Sequence, residues 1–126
     1  GQRLVRKLCP HCKKTAALAP ELQSRVDEII ARLRTRTDVT VPAELSFYAP
    51  VGCAECAGLG YKGRVGIYEA VAMTPALEKL IQQPTVTESE IESVATSEGS
   101  LLMLEDGVLK ALAGETTVEE IFRVAS

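Results

Sequence analysis

Residues 52–68, GCAECAGLGYKGRVGIY, decide how this chain is read: a cysteine pair spaced by two residues sits among close-set glycines and runs into an alternating apolar segment. A matching pair lies upstream as Cys9-Pro10-His11-Cys12, and no cysteine is left over. Each CxxC bends the backbone so that two thiolates point at one centre, and two such bends complete a tetrahedral sulfur set. Zinc is the usual occupant of that geometry. The expectation is one structural zinc per chain on Cys9, Cys12, Cys53 and Cys56, set against two rivals, a pair of disulfides or a thioredoxin-like redox pair. His11 reads as a bystander in the knuckle turn, because four thiolates already fill the shell. The 40 residues between the pairs exceed the common zinc-ribbon spacing, so they should fold as an element of their own. Gly52, Gly58, Gly60 and Gly63 should let backbone N–H groups approach sulfur and permit positive φ in the turns.

The 126 residues suffice for one modest core or two small modules sharing a seam. Aromatic residues make up only 4% and tryptophan is absent, so the core must be built from Leu, Val, Ile and Ala. Such a composition favours helix packing over a large sheet. No apolar run is long enough to cross a bilayer and no signal-peptide pattern opens the chain, so a cytosolic setting is expected. The net charge of −3 is unevenly spread: residues 1–36 carry nine Lys and Arg against three acids, and the remainder five against fourteen. The basic front could meet an acidic surface, but no aromatic residues interleave with it, so nucleic acid is not expected as a partner. Arg32, Arg34 and Arg36 are the candidate contact for an acidic protein or lipid.

Along the chain, Gln2–Leu8 reads as a strand with Leu4 and Leu8 on one face and Val5 on the other. Pro20 suits a first helical turn, followed by Leu22, Val26, Ile29, Ile30 and Leu33 at helical spacing. Residues 37–50 read as irregular chain returning to the second knuckle, and residues 64–71 as a strand. The tail reads as about four short helices. Thr74-Pro75 caps the first, with Leu77, Leu80 and Ile81 inward. Thr87 with Glu90, and Thr117 with Glu120, form capping-box patterns, and Gly99 and Gly114 act as stops. Leu101, Leu104, Val108 and Leu112 share the face of the helix between them. The fold class is therefore α/β in the α+β sense, mostly helical: a small zinc-stapled subdomain with short strands and one helix, then a helical subdomain.

Catalytic signatures are not found. No Walker A pattern occurs, the single histidine lies inside a knuckle, and Glu119 and Glu120 read as acids complementing a helix dipole. Beside the zinc module stand three alternatives: a stand-alone zinc-binding adaptor for protein contacts, a dithiol oxidoreductase, and a nucleic-acid zinc module disfavoured by a pI of about 5.2.

Three blocks together resemble the C-terminal part of the secretion ATPases, the hexameric motors of type II secretion and type IV pilus assembly. They are QRLVRKLCPHCK at 2–13, APVGCAECAGLGYKGRVGIYEAV at 49–71 and DGVLKALAGETTVEEIFRV at 106–124. They lie in the family's order, and the cysteine-glycine block is the most specific. The resemblance implies a division into 1–8, the terminal strand of a truncated RecA-like core; 9–72, the tetracysteine zinc subdomain with its following strand; and 73–126, the helical subdomain. It also implies that ATP and magnesium belong only to the full-length parent, whose Walker motifs lie upstream, with Gly1 as a cut point. Implied partners are neighbouring subunits of the hexamer and inner-membrane platform proteins. The implied location is cytoplasmic, peripheral at the inner-membrane face.

Overall fold

The computed structural model describes residues 1–70, 73–97 and 99–125. Strand β1 (Gln2–Leu8) leads into the first knuckle, β2 (Lys14–Thr15) leaves it, and helix α1 (Pro20–Leu33) follows. Strand β3 (Tyr48–Ala49) returns the chain to a 3-10 turn at Ala54–Cys56, and β4 (Tyr61–Tyr68) follows. Helices α2 (Pro75–Ile81), α3 (Glu88–Ser97), α4 (Met103–Leu112) and α5 (Val118–Ala125) complete an α+β fold.

Two antiparallel ladders frame the knuckles. Strand β1 pairs with β4 from Gln2↔Tyr68 to Leu8↔Tyr61, and β2 pairs with β3 through Lys14↔Ala49 and Thr15↔Tyr48. The first ladder is irregular between Arg6 and Leu8, where β4 carries one residue more than β1 and Gly63 takes φ 81°. A glycine in that conformation is the usual device for a bulge. The bulge lets β4 start at Tyr61, ahead of the expected Arg64; the expected end at Val71 lies outside the described residues. Leu8 is buried as its strand enters the knuckle, whereas Leu4 on the same parity is 52% exposed. Val5 faces inward against Ile67 and Ile121.

The helices form where caps and periodicity placed them. Pro20 opens α1, whose Val26, Ile29, Ile30 and Leu33 are buried. The Thr74 hydroxyl accepts Leu77 N–H at 3.2 Å, and Thr87 and Thr117 accept Glu90 and Glu120 N–H at the same distance. Ile81 departs from expectation and is exposed, because α2 turns only Leu77 fully inward. Helix α5 serves two cores from adjacent positions: Phe122 packs with α1 and α4, and Ile121 packs with the β1–β4 sheet. Gly107 of α4 makes that crossing close, since a Cβ there would lie 2.6 Å from Ile121 Cγ2. Phe47, from the segment read as irregular, is buried beside α1.

The outer edge of β4 meets side chains of α4. Tyr68 N–H donates to Asp106 Oδ2 at 2.9 Å, and Gly66 C=O accepts from Lys110 Nζ at 2.6 Å. Asp106 and Lys110 also pair with each other at 2.8 Å.

Candidate metal centre

The fold brings all four cysteines to one point. Their sulfurs lie within 4.8 Å of one another, with Cys9–Cys53, Cys12–Cys56 and Cys53–Cys56 each at 3.8 Å. A tetrahedron with metal–sulfur bonds of about 2.3 Å has edges of about 3.8 Å, so the set fits a four-coordinate ion. The same spacing is nearly twice a disulfide bond of about 2.05 Å, and all four cysteines are free. Four sulfurs leave no open coordination position, the mark of a structural rather than a catalytic site. A tetrahedral all-sulfur set suits zinc or thiolate-bound iron. His11 is exposed and stands outside the cluster.

Backbone N–H groups address the sulfurs as the glycine spacing suggests. Gly52 donates to Cys12 Sγ at 3.3 Å, and Cys53 and Gly60 donate to Cys56 Sγ at 3.2 and 3.1 Å. Both glycines hold positive φ, 107° and 79°. A Cβ on Gly52 would stand 2.7 Å from Gly58 O, and one on Gly60 would run into Pro50. Burial pushes the Cys53 thiol up to about 11, helped by its thiol neighbours against nearby backbone amides. At Cys56 burial acts in the same direction, but the N–H groups of Cys53 and Gly60 outweigh it and bring the thiol down to about 6.

Neither pair opens an amphipathic helix, the arrangement that activates a redox thiol. Cys53 precedes a three-residue 3-10 turn, and the first pair runs into the two-residue β2. The three arginines proposed as a contact surface each have an intramolecular partner. Arg36 holds Asp38 and the carbonyls of Gly99 and Ser100, Arg34 reaches Pro42 O at 3.3 Å, and Arg32 lies 4.0 Å from buried Glu105.

The type II/IV secretion system protein family model matches residues 1–123. The chain belongs to that family. Among its relatives, the type IV pilus assembly ATPase PilB of Pseudomonas aeruginosa is 42% identical over 124 residues, which is 98% of this chain and 20% of that protein. The type II secretion system protein E of the same species is 39% identical over 98% of this chain and 22% of its own length. A putative type II secretion system protein E of Escherichia coli is 34% identical over the whole chain and 23% of its own length. This secretion-family chain thus spans about a fifth of the length of the relatives it matches. Among its described residues, no helix is long and apolar enough to cross a membrane.

Several residues of the family chain that matter around the centre were not legible as such. Glu120, read as a dipole acid, is 2% exposed and bridges α5 to β1. It accepts from Arg6 N–H at 3.1 Å, Arg6 Nε at 2.8 Å, Arg6 Nη2 at 2.5 Å and Arg123 Nη2 at 2.9 Å. Burial opposes its charge, yet the Arg6 and Arg123 guanidinium groups and the Arg6 amide hold its carboxyl down at about 2. Arg6 also stacks 4.3 Å from the Tyr61 ring centroid. Only Glu119 of the acidic pair is exposed at the helix terminus.

Proposed function

We propose that this chain is the C-terminal part of a motor ATPase for type II secretion or type IV pilus assembly, and that Cys9, Cys12, Cys53 and Cys56 hold one structural zinc in it. The observation that carries the reading is the 3.8 Å sulfur spacing inside a chain that aligns with pilus-assembly and secretion relatives over nearly all of its length. In this reading the chain binds no nucleotide itself. ATP and magnesium are held by the parent, and β1 together with the knuckles joins the ATPase core to the helices. The division at 1–8, 9–72 and 73–126 describes that role, as do contacts to neighbouring subunits and to a membrane platform at the cytoplasmic face.

Zinc coordination contributes roughly 10–16 kcal/mol to folding in small metal modules, more than two knuckles with so little core could supply. The test is elemental analysis of the full-length protein purified without added zinc or chelator, paired with Cys53→Ser. One zinc per chain, lost in Cys53→Ser along with pilus assembly or secretion, is the expected result. A Cys53→Ser motor that keeps its metal and drives assembly normally would overturn the structural-zinc role.

A further inference from the structure

The routes out of the sulfur cluster end on one turn, residues 114–117, between α4 and α5. Lys13, next to Cys12, donates from Nζ to Gly114 O at 2.8 Å. Leu8, next to Cys9, donates its N–H to Glu115 O at 2.9 Å. Gly60 gives its N–H to Cys56 Sγ and accepts Cys9 N–H at 3.0 Å; the next residue, Tyr61, places its hydroxyl 3.0 Å from Thr117 Oγ1. That same Thr117 oxygen caps α5, and Thr116 Oγ1 donates to Arg6 O at 2.8 Å.

The second knuckle has little apolar support of its own. Leu59 and Val51 beside the second knuckle are 71% and 54% exposed. Apart from the sulfurs, the first knuckle meets the second through the short β2–β3 ladder, the Cys9–Gly60 hydrogen bond and the Leu8↔Tyr61 end of the β1–β4 ladder. Leu8 and Tyr61 are already held to each other by the β1–β4 ladder, so what the four sulfurs add is the placing of Lys13 and Gly60 against that pair.

We propose that the metal centre is the seat of the α4–α5 turn, so that zinc binding and the docking of terminal helix α5 are one coupled event. This rests on the zinc reading above and adds a role for the centre: it sets the position of the last helix. Coupling of this kind is reciprocal: zinc favours the seated α5 by the same factor by which seating favours zinc. The hydroxyl contact of Tyr61 with Thr117 exists only in the seated form, and its loss should weaken zinc about fivefold, the worth of one ordinary hydrogen bond.

The experiment is hydrogen–deuterium exchange of the full-length protein with zinc bound and after removal by a high-affinity chelator. Amides of Val118–Ala125 should exchange about tenfold faster or more without zinc, together with the knuckles, while α2 and α3 change little. Competition with a chromophoric chelator then measures zinc affinity in Thr117→Val and Tyr61→Phe. Both should bind zinc about fivefold more weakly, whereas Leu77→Ala, which destabilises the distant α2, should bind it normally. If chelation unfolds the whole chain, weaker zinc binding in Thr117→Val and Tyr61→Phe but not in Leu77→Ala still supports the coupling, and equal weakening in all three overturns it. Stoichiometric zinc with unchanged α5 exchange after its removal, or unaltered zinc affinity in Thr117→Val, would overturn the coupling. A protein that carries no zinc as purified would instead remove the reading on which the coupling rests.

Discussion

Replacing Glu120 by Gln should cost stability in a manner that depends on pH. The carboxylate is 2% exposed and accepts four N–H groups from Arg6 and Arg123 at 2.5–3.1 Å. Its carboxyl lies at about 2 against an ordinary 4.5, a difference worth roughly 3 kcal/mol. Arg6 and Arg123 are 54% and 61% exposed, so water screens much of that, and about 1–2 kcal/mol is expected at neutral pH. The folded carboxyl titrates below the unfolded one. The stabilisation is therefore fully present above about pH 5 and lost as pH falls towards 2. The assay is urea unfolding of wild type and Glu120→Gln from pH 7 down to pH 2.5, read as the difference between the two proteins. A gap of about 1–2 kcal/mol at pH 7 that shrinks steadily below pH 5 is the expected result. A gap that is absent at pH 7, or unchanged at pH 2.5, would refute the reasoning.

Gly60→Ala should cost about 2–4 kcal/mol, since φ is 79° and the new methyl meets Pro50, and it should also reduce metal retention by shifting an N–H off Cys56. Thermal unfolding and metal content check both effects; a wild-type melt would count against the packing argument. Gly107→Ala gains about 1 kcal/mol of helix propensity, but it forces a methyl to 2.6 Å from Ile121 Cγ2. The net outcome should be a loss of about 1–2 kcal/mol in denaturant unfolding, and a stabilised variant would show that the α4–α5 crossing yields more easily than described.

The elements visible in the sequence were those with local causes. Helix α1 was marked by Pro20 and an apolar stripe, and α2 by the Thr74 cap; both causes act within one or two turns. The cysteine pairs were legible because ligand spacing is itself local. What escaped was long-range or too short to carry a period. Strands β2 and β3 have two residues each, so Tyr48 and Ala49 show their pairing only once Lys14 and Thr15 are beside them. Gly63 reads as one of the turn glycines around the second knuckle, but it is a bulge within β4, because β1 supplies the partner that keeps the ladder going. The role of Glu120 depends on Arg6, 114 residues away, and nothing near either residue announces the other.

The cover that α4 lays on β4 has a consequence for how the chain is made. Residues 61–68 leave the ribosome well before Asp106 and Lys110, the residues that occupy two of the strand's outer hydrogen-bonding groups, Tyr68 N–H and Gly66 C=O. At about 5–20 residues per second, the roughly 40 residues between them take on the order of 2–8 s to synthesise. During that interval the nascent β4 presents an unprotected edge that another nascent strand can pair with. Synthesis that stalls before Lys110 leaves this edge open for longer, so products truncated there should be the aggregating ones, although both cysteine pairs are already complete.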